Sequence, residues 1–145
     1  MLRDEFSRVY SKFKLHFYEK VFEKFQDREA SLTTVETFCM EIIYATKGPT
    51  VNEFAKIANL SSPNAAYKVN NLMKKGYLQK VQSTEDRREY YLYPTQKYLD
   101  YYNISYQYLD TVLGRLEGRF TKEELEIVEN VLKVMHEELM PEIPI

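Results

Sequence analysis

Several residue types are scarce in this chain of 145 residues, and each scarcity excludes a class of protein. One cysteine cannot form an internal disulfide, and one thiol with two histidines at no metal-ligand spacing cannot build a multi-cysteine zinc site. Four glycines and five prolines are too few for a linker-rich or low-complexity chain. We therefore expect a folded protein that has no cofactor and no metal.

Long apolar runs and catalytic motifs are also missing from the sequence. No run approaches the ~20 apolar residues of a membrane-spanning helix, and residues 1–15 carry charges where a signal peptide would be apolar. No Gly-rich phosphate loop and no nucleophile with a plausible base is found. We expect a cytoplasmic protein with no membrane partner, no catalytic residues and no enzyme activity.

The charged residues are distributed unevenly, although the net charge is only −2. Residues 61–88 hold 6 basic and 2 acidic side chains, whereas residues 89–145 hold 5 basic and 11 acidic ones. Residues 1–60 are balanced, with 9 of each. All the excess positive charge therefore lies in one central segment, where a polyanion such as nucleic acid could bind.

Two short helices separated by a tight turn are predicted in the middle of the chain. Thr50 and Glu53 form a capping box that opens the first helix. Ser61 can cap the second helix, which runs from Ser62 to Lys75 and ends at Gly76. The turn of about three residues between them is typical of a helix-turn-helix.

After the second helix the apolar period changes to two, which predicts strands over residues 77–82 and 90–93. A charged hairpin loop, residues 83–88, joins them. Another helix, with Thr33 or Thr34 as its cap, precedes the two short helices. We therefore predict a mainly α fold with a small β-hairpin wing, in which residues 31–95 are a winged helix-turn-helix DNA-binding region.

The segments on either side, residues 1–30 and 96–145, are predicted to be dimerisation helices within one compact domain overall. The first carries an apolar stripe over roughly seven helical turns. That stripe consists of Leu2, Phe6, Val9, Phe13, Phe17, Val21 and Phe25. After a break at Gly118, a capping box of Thr121 and Glu124 opens the last helix.

The two C-terminal helices carry narrow apolar seams with spacings of three and four. The seams consist of Tyr102, Ser105, Leu109, Val112 and Leu116, then Leu125, Val128, Leu132, Met135 and Leu139. A surface helix packed on its own domain would explain either seam alone. Together, these seams and the N-terminal stripe present more apolar surface than a winged helix can cover. This excess favours a homodimer.

The helix from Ser62 to Lys75 is predicted to bury Ala66, Val69, Leu72 and Met73. Its opposite face then carries amides, a tyrosine and cations, which suit the major groove of DNA. These residues are Asn64, Tyr67, Lys68, Asn71 and Lys75, with Ser61 and Ser62 as phosphate donors at the helix N-terminus. An ordinary solvated face is the alternative for this helix alone.

The wing supplies a second, independent signal for DNA. Arg87 and Arg88 lie at the tip of the hairpin, where an arginine can enter a narrow, electronegative minor groove.

Cys39 is predicted to be a buried, inert thiol rather than a redox switch, because no positive charge lies near it in sequence. Eight tyrosines between residues 90 and 108 are interpreted as half-buried packing, with an aromatic ligand pocket as the alternative.

The stretch TVNEFAKIANL SSPNAAYKVNNLMKKGYLQKVQSTEDRREYYLYPT resembles the multiple-antibiotic-resistance regulator (MarR) family of bacterial transcription factors. The most specific part is Asp86-Arg87-Arg88, which is similar to the family's Asp-x-Arg wing motif. The resemblance implies that Arg88 enters the minor groove and that Asp86 orients the wing arginines. It also implies that residues 64–71 face the major groove.

These observations favour a homodimeric transcriptional regulator that binds double-stranded DNA. The specific hypothesis is a repressor of pseudo-palindromic operators, with a small molecule as a possible effector. The alternative is a winged-helix protein–protein adaptor without sequence-specific DNA binding. A sensor of oxidation or metal would rest on Cys39 alone.

Overall fold

The computed structural model describes residues 1–25, 32–101 and 103–145, and these residues form seven helices and one β-hairpin. The helices are α1 (Leu2–Phe25), α2 (Thr34–Ala45), α3 (Val51–Ile57), α4 (Ser62–Lys74), α5 (Gln96–Tyr101), α6 (Ile104–Glu117) and α7 (Lys122–Glu138). Strands β1 (Leu78–Gln82) and β2 (Tyr90–Pro94) pair antiparallel, with Lys80 opposite Leu92. The predicted mainly α fold with a small β-hairpin wing is confirmed.

The described chain divides into two compact units, Met1–Ile104 and Ser105–Ile145. The predicted boundary between residues 30 and 31 lies outside the described residues, as do Tyr102 of the first C-terminal seam and the side chain of Phe25. None of the described helices is both long and apolar enough to cross a membrane.

The core of the first unit lies between α2, α3, α4, the hairpin and α5. Its fully buried side chains include Met40, Ile43, Phe54, Leu72 and Leu92. Tyr98 of α5 is buried with them, and its hydroxyl donates to Glu41 at 3.4 Å. Cys39 is buried as predicted, and burial raises the pKa of its thiol, so the thiolate is disfavoured.

Side-chain caps fix where the helices begin. Thr33 caps α2 in a reciprocal box with Glu36, which the sequence reasoning missed. The predicted box of Thr121 and Glu124 at the start of α7 is confirmed in both directions. At Thr50 only the first half of the predicted box is found: its hydroxyl accepts from the Glu53 amide at 3.1 Å. Thr50 also pairs with Tyr91 in an isolated antiparallel β-bridge.

In the second unit, α7 exposes apolar side chains along much of its length. Ile127 is 67% exposed and Val131 is 52% exposed. A groove of about 530 Å³ is lined by apolar residues of α6 and α7, namely Leu113, Leu116, Leu125, Val128 and Leu132. In α1 the N-terminal part of the predicted stripe is likewise exposed, whereas Val21 is buried.

Candidate nucleic-acid interface

The turn between α3 and α4 sets the start of the helix that was predicted to meet DNA. Asn59 has φ of +53°, a conformation that asparagine tolerates better than most residues. Ser61 is the N-cap of α4, and its hydroxyl accepts from the Asn64 amide at 3.3 Å. Ser61, Ser62 and Asn64 are all exposed at this end of the helix.

The buried face of α4 differs from the predicted one. Ala65, Val69 and Leu72 are at most 2% exposed, whereas Ala66 is exposed. The prediction that Ala66 belongs to the core is wrong: Ala65 is buried there beside Val69 and Leu72, and Met73 is partly buried against the core. The surface opposite this core is therefore rotated from the predicted face.

The rotation divides the predicted contact residues into two groups. Asn64 and Tyr67 are exposed, and Tyr67 is 66% exposed. Lys68, Asn71 and Lys75 are half-buried. The face assigned from helical spacing lacked Asn70 and Lys74, which are exposed on the outer surface together with Ala66. The spacing of Ala65, Val69 and Leu72 fits the helical period no better than that of Ala66, Val69 and Met73, so the sequence carried no signal that revealed them.

Lys75 is directed into the protein. Its Nζ lies 2.8 Å from Oε1 of Glu36, a buried carboxylate at the start of α2. Burial raises the pKa of Glu36, but hydrogen bonds from Lys75 and Thr33 outweigh burial and leave that pKa below its usual value. Lys75 thus contacts α2 at the position where the sequence suggested a contact with DNA.

The loop of the wing is closed by hydrogen bonds around Ser83. The buried Ser83 hydroxyl accepts from the amides of Glu85 and Asp86, both at 3.2 Å. The Ser83 amide donates to the Glu89 carbonyl at 2.9 Å, and the Glu89 amide donates to the Asp86 carbonyl at 3.0 Å. The loop between the strands therefore has a defined conformation in the protein alone.

Asp86 and Arg88 form the most specific contact at the wing tip. Oδ1 of Asp86 accepts from the backbone amide of Arg88 at 3.0 Å and from its Nε at 3.1 Å, and Oδ2 accepts from Nη2 at 3.0 Å. These bonds lower the pKa of Asp86 and raise the pKa of Arg88. The Arg88 side chain nevertheless remains 90% exposed and accessible to a ligand.

The two other cations of the hairpin are arranged differently. The Arg87 side chain is exposed, while its carbonyl accepts from Nε2 of Gln82 at 2.8 Å. Nζ of Lys80 lies 4.6 Å from the centre of the Tyr90 ring, which is a cation–π contact.

A cleft of about 240 Å³ brings the helix and the wing together. Ala66 and Asn70 line it from α4, Asn52 lines it from α3, and Lys80 and Arg88 line it from the hairpin. Amide and cationic groups thus face one concave surface within a single compact unit. Among the described residues, no group of three or more metal-ligating side chains is arranged to hold a metal ion.

The order and pairing of these elements define a winged helix-turn-helix. Residues 32–90 match the MarR family. The match covers the helix and the wing that carry the resemblance to this family, and it confirms that resemblance. The MarR family consists of transcription regulators, so the match agrees with the expectation of a regulator rather than an enzyme for residues 32–90.

Solved structures extend the similarity of fold over nearly the whole chain. Streptococcus pneumoniae FabT in complex with DNA has a TM-score of 0.61 and 18% identity, covering 98% of this chain and 97% of FabT. A point mutant of S. aureus MepR bound to an oligodeoxyribonucleotide has a TM-score of 0.53 and 18% identity, covering 96% of this chain and 98% of the mutant.

MepR from S. aureus bound to ethidium bromide has a TM-score of 0.57 and 18% identity, covering 96% of each chain. At these identities the similarity concerns the fold. No curated protein matches the sequence.

Proposed function

We propose that this chain is a homodimeric transcriptional regulator that binds double-stranded DNA through α4 and the wing. The observation that carries the proposal is the cleft where Asn70 of α4 and Arg88 of the hairpin line the same concave surface. A helix for the major groove and an arginine for the adjacent minor groove must lie side by side to contact one duplex.

Charge supports this choice of partner. The segment that forms α4 and the wing, residues 61–88, has an excess of four positive charges in a chain of net charge −2. A basic segment of this kind increases the local concentration of a polyanion and speeds its association. The exposed amides of Asn64 and Asn70 provide donors and acceptors that pair with adenine edges.

The test is a selection of bound fragments from random duplex DNA, followed by fluorescence anisotropy on the selected duplex. Arg88→Ala should lower affinity most on duplexes with A·T-rich flanks, because a narrow minor groove concentrates negative potential. Arg87→Ala removes the same charge from the neighbouring residue and is the matched control.

Each outcome of that experiment has a distinct meaning. Arg87→Ala should weaken all duplexes by a similar factor and should not depend on the flanks. An Arg88→Ala loss that is indifferent to flank composition would reject minor-groove contact. Failure of the selection to enrich any sequence would reject the proposal and favour the protein–protein adaptor.

The dimer is proposed from exposed apolar surface at both ends of the chain. Leu2 is 86% exposed in α1, and Ile127 is 67% exposed in α7. Contiguous apolar patches of this kind mark interaction sites in folded proteins. A second copy of the same chain would cover them and would present two wings to a pseudo-palindromic operator.

Light scattering at micromolar concentration tests the dimer, since it should give twice the chain mass of 17.3 kDa. A mass of one chain would reject it. Removal of residues 121–145 should lower solubility, because the partner helices lose their cover.

Repression and release by a small molecule are the finer part of the proposal. MepR, a relative of similar fold, has been solved with ethidium bromide. A repressor should reduce transcription from a promoter that carries the selected duplex, and an effector should restore transcription without changing the protein level. Increased transcription in the same assay would indicate an activator.

A further inference from the structure

The ion pair of Glu36 and Lys75 joins two elements that are far apart in sequence. Glu36 lies in the first turn of α2, and Lys75 is the C-cap of α4. The Glu36 side chain is 10% exposed, and its Oε1 accepts from Lys75 Nζ at 2.8 Å and from the Thr33 amide at 3.2 Å. Its Oε2 is buried and accepts no hydrogen bond from the described residues.

The backbone at this end of α4 is held from a second direction. The Lys75 carbonyl accepts from Nζ of Lys97 at 2.8 Å, and the Gly76 carbonyl accepts from the Thr95 hydroxyl at 2.6 Å. Lys97 belongs to α5, and Thr95 immediately precedes that helix. Side chains from both sides thus satisfy carbonyls that a helix end leaves without intrahelical partners.

The hydrogen bonds and the ion pair at this end of α4 determine the rotation of the helix about its axis, which the apolar core does not determine. Val69 and Leu72 bury the middle of α4 through contacts that have little directional preference. The N-terminal cap at Ser61 is exposed and satisfies only the start of the helix. The short ion pair of Glu36 and Lys75 fixes both the rotation of the last turn of α4 and its position along the helix axis, next to Asn71.

We propose that Glu36 and Lys75 are positioning residues, which hold α4 at the rotation that sequence-selective DNA binding requires. This inference rests on the proposed function. Lys75 acts through Glu36 rather than by contacting a phosphate, and Glu36 affects DNA affinity without touching DNA.

For Glu36→Gln, a purely electrostatic effect and the positioning role predict opposite changes in affinity for the selected duplex. The substitution removes one negative charge from each subunit, so long-range electrostatics alone predicts tighter binding to every duplex. The positioning role predicts weaker binding to the selected duplex and unchanged binding to random duplex. Glutamine retains an acceptor for the Thr33 amide, and Lys75, whose side chain is 32% exposed, remains open to water, so the variant should fold.

Lys75→Met and Lys74→Met are a matched pair, because each removes one positive charge at the same end of α4. Lys74 is exposed. Lys74→Met should weaken selected and random duplexes alike and reduce the salt slope by roughly one. Lys75→Met should lower the ratio of selected to random affinity, and Lys75→Arg should restore that ratio.

Fluorescence anisotropy on one selected and one random duplex at fixed salt measures these four single variants and the double variant Glu36→Gln/Lys75→Met, with circular dichroism as the check of folding. We expect Glu36→Gln and Lys75→Met each to lower selected affinity about tenfold, as the loss of one base contact does. The double variant should lose no more than either single variant, since both remove the same contact.

Equal or tighter binding of the selected duplex by Glu36→Gln would overturn the inference, as would a Lys75→Met variant that behaves like Lys74→Met. If Lys75→Met does not fold, Glu36→Gln and Lys75→Arg decide the question. A wild-type chain that enriches no duplex rejects the proposed function, and the inference with it. If the wild-type chain binds selectively and the variants bind as it does, the positioning role is rejected and the proposed function stands.

Discussion

Asp86 accepts hydrogen bonds from Arg88 with both carboxylate oxygens, and the Ser83 hydroxyl holds the Asp86 amide. The carboxylate therefore contributes to the shape of the wing tip before any ligand arrives. Its pKa is lowered by the hydrogen bonds from Arg88, so the pair persists as the pH falls toward the usual carboxyl range.

Asp86→Ala should weaken DNA binding, although it raises the net charge of each subunit by one. Arg88 loses the contact that orients its guanidinium, so its side chain must lose conformational entropy when DNA binds, and this loss weakens binding. Glu85→Ala, the control, removes the same charge from an exposed neighbour and should tighten binding slightly. Anisotropy on one duplex at fixed salt compares them; tighter binding by both variants would contradict the role of Asp86.

Among the helices, α4 presents two adjacent asparagines with different surroundings. Asn70 is exposed and lines the cleft beside the wing, whereas Asn71 is half-buried on the side of Lys75. Asn70→Ala should cost about 1–3 kcal/mol on the selected duplex and little on random duplex if Asn70 makes the proposed base contact. Asn71→Ala is the control and should cost less; the reverse order would favour the face predicted from the sequence.

The turn between α2 and α3 contains a glycine that a larger residue cannot replace without a clash. Gly48 has φ of +78°, and a Cβ added there would lie 2.7 Å from Cε1 of Tyr93. Gly76 has a similar φ of +84°, but its added Cβ would meet only the Lys97 side chain, at 3.6 Å.

Gly76→Ala should therefore lower the free energy of unfolding by about 1–2 kcal/mol, the cost of a left-handed residue. Gly48→Ala should lower it further, because the Tyr93 ring must also move. Urea unfolding of both variants measures the difference. Equal losses would mean that the ring moves aside without cost.

The elements were predictable from the sequence to the extent that local patterns define them. The cap at Ser61, the change of period after Gly76 and the box of Thr121 and Glu124 all act within a few residues. The rotation of α4 was mispredicted because Ala65 and Ala66 are chemically identical, and only packing decides which one is buried.

Other parts of the site depend on contacts between distant segments. Lys75 was expected on the DNA side because nothing near it in sequence indicates Glu36. Thr50 also forms a β-bridge to Tyr91, 41 positions along the chain, which no local pattern indicates. By contrast, Asp86 and Arg88 are two residues apart, and their pairing was foreseeable from the motif.

For the whole molecule, the Glu36–Lys75 pair makes stability depend on pH. The Glu36 pKa lies below its ordinary value of 4.5, because the hydrogen bonds from Lys75 and Thr33 outweigh burial, which raises it. A carboxylate with a lowered folded pKa adds stability above its unfolded pKa, and that stability is lost as the pH falls through the folded pKa.

Lys75→Met should lower the free energy of unfolding by about 2 kcal/mol at neutral pH, because it leaves a buried carboxylate without its cation. The difference from wild type should shrink as the pH falls through the lowered folded pKa of Glu36, because the protonated side chain no longer needs the cation. Urea unfolding at one protein concentration and several pH values measures it, with Lys74→Met as control. A difference that is independent of pH would contradict this account.

The same pair constrains how the chain can change during evolution. Loss of Lys75 alone leaves a charge in the interior, whereas we expect the stability of the fold to tolerate replacement of both partners by apolar residues of similar volume. Among descendants of this chain, positions 36 and 75 should therefore covary, although they lie 39 positions apart in the sequence. Position 74, which is exposed, should vary independently of both.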